Sequence, residues 1–398
     1  MAKVFIEETT LTAIGDAIRG KTGKTDLIDP ANMSTEIASI EAGSGGGELP
    51  EGAFLITGNA NHKFAYSSWN WFLETYGSKI TTKDISSLSS MFQNNTGLTK
   101  VPFQINITNA SSFGLLFNGA MYLAVCPKIR GSIQWTSNTN FSDSLTNIYW
   151  LRDLEDLFEP EMFDGFSTLK ITSAYSTPVL MKFSNMYSLR RLPSWWYKLR
   201  LNPASSAFPY SSYTLYNSEF SGCAVLDEAK NIPVWYCAGP QTSNMFSSIV
   251  SYCHRIKTFT FETNADGSPI ETQWKSQTLD FSSGLGYSTS TLDTQLVSYN
   301  SGITADKRVK DDATYQALKN DPDWYTCNVA YSRYNHDSAV ETINSLPDTS
   351  VYLASAGGTN TIKFKGASGS ATDGGAINTL TEEEIAIATA KGWTVTLS

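Results

Sequence analysis

At 398 residues the chain is too long for one ordinary core and points to two or three domains or one elongated array. An apolar share of 41% excludes wholesale disorder, while a charged share of only 17% leaves the polar surface to Ser, Thr and Asn. The net charge of −9, with no long basic run, excludes a phosphate-neutralising surface, so neither nucleic acid nor an anionic membrane is an expected partner.

Cys126, Cys223, Cys237, Cys253 and Cys327 stand far apart without a CxxC pair, and His62, His254 and His336 do not complete a zinc pattern. The thiols are expected to act as small buried hydrophobes, with no metal or cofactor. The first residues, Met1–Glu8, lack the apolar core of a secretory signal. No run of about 18 apolar residues occurs, so membrane insertion is not expected.

In chain order, residues 1–42 read as a small helical module. Leu11, Ile14 and Ile18 recur at helical spacing until Gly20 and Gly23 stop the run. A second helix opens at Asp29-Pro30, with Asp as N-cap and Pro at the first position, and Met33, Ile37 and Ile40 on its apolar face. Two helices this short bury little alone, so these six residues are candidates for attachment to a partner or to further copies. Gly15 to Thr22 also fits the spacing GxxxxGK[ST] of a phosphate loop. That chemistry needs a strand before the glycines and a helix beginning at the lysine. Here the preceding residues already read as helix and a turn follows, so a helix C-terminus is the preferred reading. Residues 43–52, centred on Gly43-Ser-Gly-Gly-Gly47, read as a linker.

Residues 53–265 repeat. Phe92 is followed by Leu98 at six residues and Pro102 at ten; Phe117 by Leu123 and Pro127; Phe183 by Leu189 and Pro193. Phe220 is followed by Leu226, Phe246 by Tyr252 and Ile256, and a weaker copy sets Leu145 before Leu151. Four residues ahead of these anchors stand Leu88, Phe113, Phe141, Val179 and Tyr216. The anchors lie 25, 28, 38, 37 and 26 residues apart. The pair at i and i+4 predicts a short helical turn with one apolar face, and the later Leu and Pro lead into an extended segment. A unit of this kind buries its apolar side only against its neighbours, so the units must stack.

Residues 266–398 read as a closing region. Lys257–Glu262 alternates as a strand just before it. Asp312–Asn320 and Ser338–Leu346 read as helices, the second closed by Pro347, and Thr361–Lys365 as a strand. Thr381-Glu-Glu-Glu384 is a capping box opening a helix that ends at Gly392, and a last strand runs from Trp393 to Leu397.

Three constellations could carry chemistry. The acidic stretch from Asp153 to Asp164 holds Leu151, Leu154, Leu157 and Phe158 at helical spacing and reads as a solvated helix face rather than paired catalytic carboxylates. His336 reads as a helix-capping or loop histidine. The aromatics cluster at Trp69, Trp71 and Phe72, at Trp195, Trp196 and Tyr197, and at Trp235 and Tyr236. Trp195, Trp196, Tyr197, Trp235 and Tyr236 follow Leu-Pro or Ile-Pro; core filling is the preferred reading, and they are also the candidates to stack on a sugar ring or anchor a protein. On a strand Trp195 and Trp196 would point to opposite sides and leave one exposed.

The run Met91-Phe92-Gln-Asn-Asn-Thr-Gly-Leu98-Thr99-Lys-Val-Pro102 resembles the BspA-like leucine-rich repeats of bacterial surface proteins, which carry MFxxCxxLTxxP in units of about 26 residues. Asn106 to Phe113 is similar to the spacer of that family. The resemblance covers roughly residues 80–265, and the Cys of the family is replaced by Asn95. Leu11-Thr-Ala-Ile-Gly-Asp-Ala-Ile-Arg-Gly-Lys-Thr-Gly23 resembles an N-terminal module recurrent in phage tail and virion proteins. Ile303–Asp306, Tyr334–Asp337, Leu380–Ile385 and Lys391–Trp393 resemble the C-terminal part of phage-encoded repeat proteins.

These resemblances imply an α/β fold: an irregular leucine-rich-repeat solenoid with a short helical N-terminal module and a C-terminal cap. They imply a phage virion surface protein of tail-fibre, receptor-binding or head-fibre type, assembled in the host cytoplasm and acting outside it. Its expected partners are other virion proteins through the N-terminal module, a host surface glycan or protein, and further copies of itself. A bacterial adhesin with the same repeats is the alternative, and a virion polysaccharide hydrolase a third; the leading expectation is a protein that is not an enzyme.

Overall fold

The computed structural model describes Asp16 and residues 52–136, 138–168, 181–199, 220–223, 226–234, 240–242, 244–246, 249–250, 253, 256–282, 334–364 and 380–397. The chain divides into two units, Met1–Pro50 and Glu51–Ser398. In the first, Asp16 is helical and exposed. The expected helices bearing Leu11, Ile14, Ile18, Met33, Ile37 and Ile40, and the rest of the phosphate-loop-like run, lie outside the described residues, as does the helix expected at Asp312–Asn320.

The second unit opens with four parallel strands laid side by side in chain order: β1 (Phe54–Asn59), β2 (Ile80–Ser87), β3 (Ile105–Ser112) and β4 (Ile129–Ile133). The register sets Phe54 against Ile80 and Ile105 against Ile129. Ile56, Ile85, Ile105, Ile107 and Ile129 point inward and are buried, while intervening residues face solvent, as half-buried strands require. Parallel neighbours need a crossover connection. Between β1 and β2 it contains the helix α1 (Asn70–Tyr76); between β2 and β3 and between β3 and β4 it is made of turns.

Those turns explain the i, i+4 spacing, and they are not helical. The backbone closes successive i to i+3 bonds: Met91 N to Leu88 O, Gln93 N to Ser90 O, Asn95 N to Phe92 O and Leu98 N to Asn95 O. Ser90 and Asn94 have positive φ, which the third position of a type II turn demands. Phe64, whose amide donates to Met91 O, takes the anchor place ahead of Phe92, and the same left-handed geometry recurs two residues after Phe64, Phe92, Phe117, Leu145, Phe183 and Phe220, at Tyr66, Asn94, Gly119, Asn147, Asn185 and Gly222. Short Asn and Gly are favoured there because they tolerate that region best. Overlapping β-turns bring Leu88 and Phe92, four residues apart, to the same buried side, so they imitate the spacing of a helical face.

The left-handed residues also form the rung that joins neighbours. Tyr66 N donates to Gln93 O, Asn94 N to Asn118 O, Gly119 N to Thr146 O, Asn147 N to Ser184 O and Asn185 N to Ser221 O, at 2.7–3.3 Å. This register holds although the anchor spacing grows from 25 to 38 residues. Inside the rungs the anchors stack on one another: Phe64 on Phe92 at 5.7 Å, Phe92 on Phe117 at 5.2 Å and Phe183 on Phe220 at 6.2 Å. Phe92, Leu98, Phe117, Leu123, Phe183, Leu189, Phe220, Leu226 and Phe246 are all buried.

One anchor is displaced from its expected place. Phe220 N donates to Ile249 O, as Phe92 N does to Leu116 O and Phe117 N to Ser144 O. The residue after that acceptor is the anchor, so Val250 takes the place of Phe117, and Phe246 sits four residues earlier, matching Phe113 and Phe141. The bonds Cys253 N to Val250 O and Ile256 N to Cys253 O complete the same turn. Where strands lapse, the 3-10 segments Pro160–Thr168 and Ser194–Lys198 take their place before the parallel pair β5 (Glu228–Ile232) and β6 (Thr258–Phe261). The helix expected over the acidic stretch is absent: residues 151–158 form turns and irregular chain, with Leu151, Leu154, Leu157 and Phe158 all buried.

The stacked order does not stop at residue 265, since Gln241 bridges Trp274 in parallel. A second sheet follows, β7 (Thr278–Asp280), β8 (Asn360–Phe364) and β9 (Trp393–Leu397), again parallel and in that order. Helix α2 (His336–Ser345) starts two residues earlier than expected because Asn335 is its N-cap, in a box with Ser338, and His336 is its first residue. It meets the β6 backbone directly: Phe261 N donates to Ser345 Oγ and Thr342 Oγ1 to Phe259 O. The short helix α3 (Ser350–Ala356) follows, and α4 (Glu382–Ala390) opens at the Thr381–Glu384 capping box.

Candidate binding surface

Trp195 and Trp196 do not present an indole to solvent. Both sit in a 3-10 turn rather than a strand, so they do not alternate. Both are buried, Trp195 completely. Trp195 stacks on Phe163 at 5.3 Å, and its Nε1 donates to Leu154 O at 2.8 Å. Trp196 packs on Phe183 and Phe220. Tyr197 is half-buried, and burial beside Glu228 and Glu155 raises its phenol well above the usual range. These three are therefore core and core-edge residues, and a ligand-stacking role for Trp195 and Trp196 is withdrawn. Trp235 and Tyr236 lie outside the described residues.

The acidic stretch meets basic side chains of neighbouring units. Asp153 pairs with Arg191 at 2.6 Å, Asp156 with Lys128 at 3.6 Å, Glu159 with Arg130 at 3.4 Å and Asp164 with Lys198 at 3.2 Å. Glu155 accepts from both the amide and the hydroxyl of Ser194. Exposed pairs of this kind contribute about 0–1 kcal/mol each, so they tune register more than stability. Burial, with Asp156 and Asp153 nearby, pushes the Cys126 thiol up to about 12, and burial does the same to Cys253. Neither thiol is a nucleophile at neutral pH. Among the described residues no group of three or more His, Cys, Asp or Glu is placed to hold a metal ion.

Cys253 and Cys223 have a structural task. Cys223 Sγ donates to Phe183 O and Cys253 Sγ to Phe220 O, each at 3.0 Å, reaching the anchor carbonyl of the preceding unit. Asn95 Nδ2 donates to Phe64 O at 3.1 Å in the same way. All three stand three residues after an anchor, so Asn95 serves there as the cysteines do. The text Phe220-Ser-Gly-Cys223-Ala-Val-Leu226 carried that signal in the sequence.

Among the described residues the exposed aromatics lie near the start of the stack, between β1 and β2. Tyr66 is 59% exposed, Trp69 40% and Trp71 61%. Tyr66 and Trp69 precede α1 and Trp71 lies in it, while Phe54, Phe64 and Phe72 take the inner contacts. Beside them a cleft of roughly 190 Å³ separates α1 from the loop that follows Leu98. It is lined by Asn70, Leu73 and Glu74 of the helix, by Ser78, and by residues 97–100 and Pro102 of the loop. Gly77 lets the loop approach, since a Cβ there would lie 2.1 Å from Pro102 Cγ. No family model matches the chain, no curated protein is detectably similar to it, and no solved structure matches its fold.

Proposed function

We propose that this chain is a phage virion surface protein, built as an irregular leucine-rich-repeat solenoid that displays a binding face. The observation that carries the reading is the recurrent rung from Tyr66 to Ser221, which lets units of unequal length stack in one register. Such a stack offers a long outer face on which weak contacts sum. The resemblance of Leu11–Gly23 and of the C-terminal segments to phage structural proteins supports a place on the particle, in the tail or on the head surface. In this reading residues 1–42 dock to other virion proteins, the array contacts a host surface glycan or protein, and several copies add avidity.

Binding rather than catalysis fits the chemistry. A polysaccharide hydrolase needs two carboxylates facing across a cleft at about 5–10 Å. Asp153, Asp156, Glu159 and Asp164 are instead engaged by Arg191, Lys128, Arg130 and Lys198.

Immunogold electron microscopy of a phage lysate, with antibody to residues 53–398, tests the proposal. Gold on tails or heads is the expected result. Gold on intact bacterial envelopes with bare particles overturns it in favour of a bacterial adhesin.

A further inference from the structure

We infer that the cleft between α1 and the Gly97–Pro102 loop is a saccharide subsite that takes a single pyranose residue. The inference deepens the binding role proposed above and rests on it for the source of the glycan.

Asn70 is 2% exposed and lines this cleft, yet neither its amide oxygen nor its amide nitrogen has a partner. A buried donor or acceptor left unpaired forfeits its hydration with nothing in return. The other buried amides show what the fold otherwise provides. Asn360 accepts from Gln277 N and donates to Trp274 O and Thr349 Oγ1, and Asn95, whose Oδ1 has no partner, still donates through Nδ2 to Phe64 O. Among the described amides only Gln241 shares the condition of Asn70, and it does not line the cleft. A leucine would fill the same space without that cost. Because no hydrogen bond holds the Asn70 amide, turning it toward a ligand breaks none.

The lining selects the ligand class. A carboxamide sets one acceptor beside two donors, the complement of two adjacent hydroxyls that each donate and accept. Ser78, Thr99, Glu74 and Lys100 add polar groups of both kinds around the mouth, and Leu73, Leu98 and Pro102 offer an aliphatic surface for a C–H face. One carboxylate and one ammonium cancel in charge, and no Arg lines the cleft, so a phosphate group finds no bidentate partner. At roughly 190 Å³ the space is below the ~300 Å³ of a drug-sized site, which limits it to one ring.

The test is saturation-transfer NMR on the full chain with the methyl glycosides of glucose, galactose and N-acetylglucosamine. At least one is expected to bind with a dissociation constant on the order of 1 mM. Asn70→Leu should melt no lower than the parent and bind at least about tenfold more weakly, from the lost amide pairing. Lys100→Met, an exposed change that leaves the core alone, should also weaken binding. No transfer from any of the three glycosides overturns the subsite, and so does unchanged affinity in both variants. The lysate labelling reads separately: gold on particles without sugar binding sinks the subsite alone, and sugar binding without particle labelling sinks the virion reading alone.

Discussion

Between β1 and β4 each strand rests on the next copy of its own unit, whereas between β7 and β9 three strands from distant parts of the chain rest on helices and a few buried polar side chains. The first region distributes its bonds. Backbone rungs and stacked rings recur from unit to unit, so each unit is supported mainly by its neighbours. The last region concentrates them. Asn360 alone engages Gln277, Trp274 and Thr349; Lys391 Nζ reaches Ile343 O and Asn344 O; and Trp393 Nε1 donates to Pro347 O. Repetition lets a change of unit length be absorbed, while closure of the C-terminal sheet depends on single residues.

The largest expected effect tests whether the 3-10 units belong to the stack. Trp195→Ala should destabilise by about 3–5 kcal/mol, because it opens a cavity against Phe163 and leaves Leu154 O without its donor. Urea unfolding measures it. A cost below 1 kcal/mol, the size of a surface change, would mean the indole is not buried.

Asn95 sharpens the comparison at the next scale. Asn95→Leu should cost about 1–3 kcal/mol, since Phe64 O loses its donor inside the core. Asn95→Cys should cost less, because Cys223 and Cys253 already make the same bond in later units of the stack. Amide exchange should rise first at the residues beside Phe64 and Phe92 and leave β7–β9 protected. Equal costs for Leu and Cys would break the equivalence between the two ends of the array.

In the C-terminal region, Lys391 makes stability depend on pH. Burial pulls its ammonium from 10.5 down to about 8, against the pull of Asp348. Between those values the unfolded chain holds more protons than the folded one, so this group makes stability rise with pH across the window and adds no slope below it. Lys391→Met should flatten that rise relative to the parent, as read by thermal melts from pH 7 to pH 10. An unchanged slope would show that the ammonium is freely hydrated.

Much of the closing region was legible because each signal belongs to one element. The Thr381–Glu384 box opens α4, and alternation at Lys257–Glu262 marks β6. The repeat was legible as spacing but not as geometry. Leu88 and Phe92 are four apart in a run of β-turns as they would be in a helix, and only the Asn or Gly two residues after the anchor tells the two apart. Phe246 drew the anchor from Val250 because an aromatic outweighs a valine when side chains are compared without their hydrogen bonds. The sequence left the sides of Trp195 and Trp196 open between core and surface, because the side of a residue depends on whether the chain is extended, which Leu192-Pro193 does not reveal. Asn70 carried no signal at all, since an unpaired amide is defined by what surrounds it in space.

The smallest effect concerns how α2 is held to α4. His336 Nε2 lies 3.2 Å from Glu384 Oε2, and its Nδ1 lies 3.3 Å from Asp337. The hydrogen bond to Asp337, helped by Glu384, raises the imidazole above its ordinary value. Glu384 is lowered first by the Thr381 amide and then by His336. A raised histidine supplies stability that is full below its unfolded value near 6.5 and is lost as pH rises through the folded one. His336→Gln should remove that dependence. Glu384 separates the ion pair from the cap, because its carboxylate also accepts from Thr381 N at 2.8 Å. Glu384→Gln keeps an acceptor for the capping box and loses the charge, so it should weaken the pH dependence to the part that Asp337 supplies while α4 stays capped. Glu384→Ala removes both and should fray the first turn of α4 in amide exchange. If Gln and Ala fray that turn equally, the charge and not the box holds the helix, and the junction is electrostatic in a region otherwise closed by buried polar bonds.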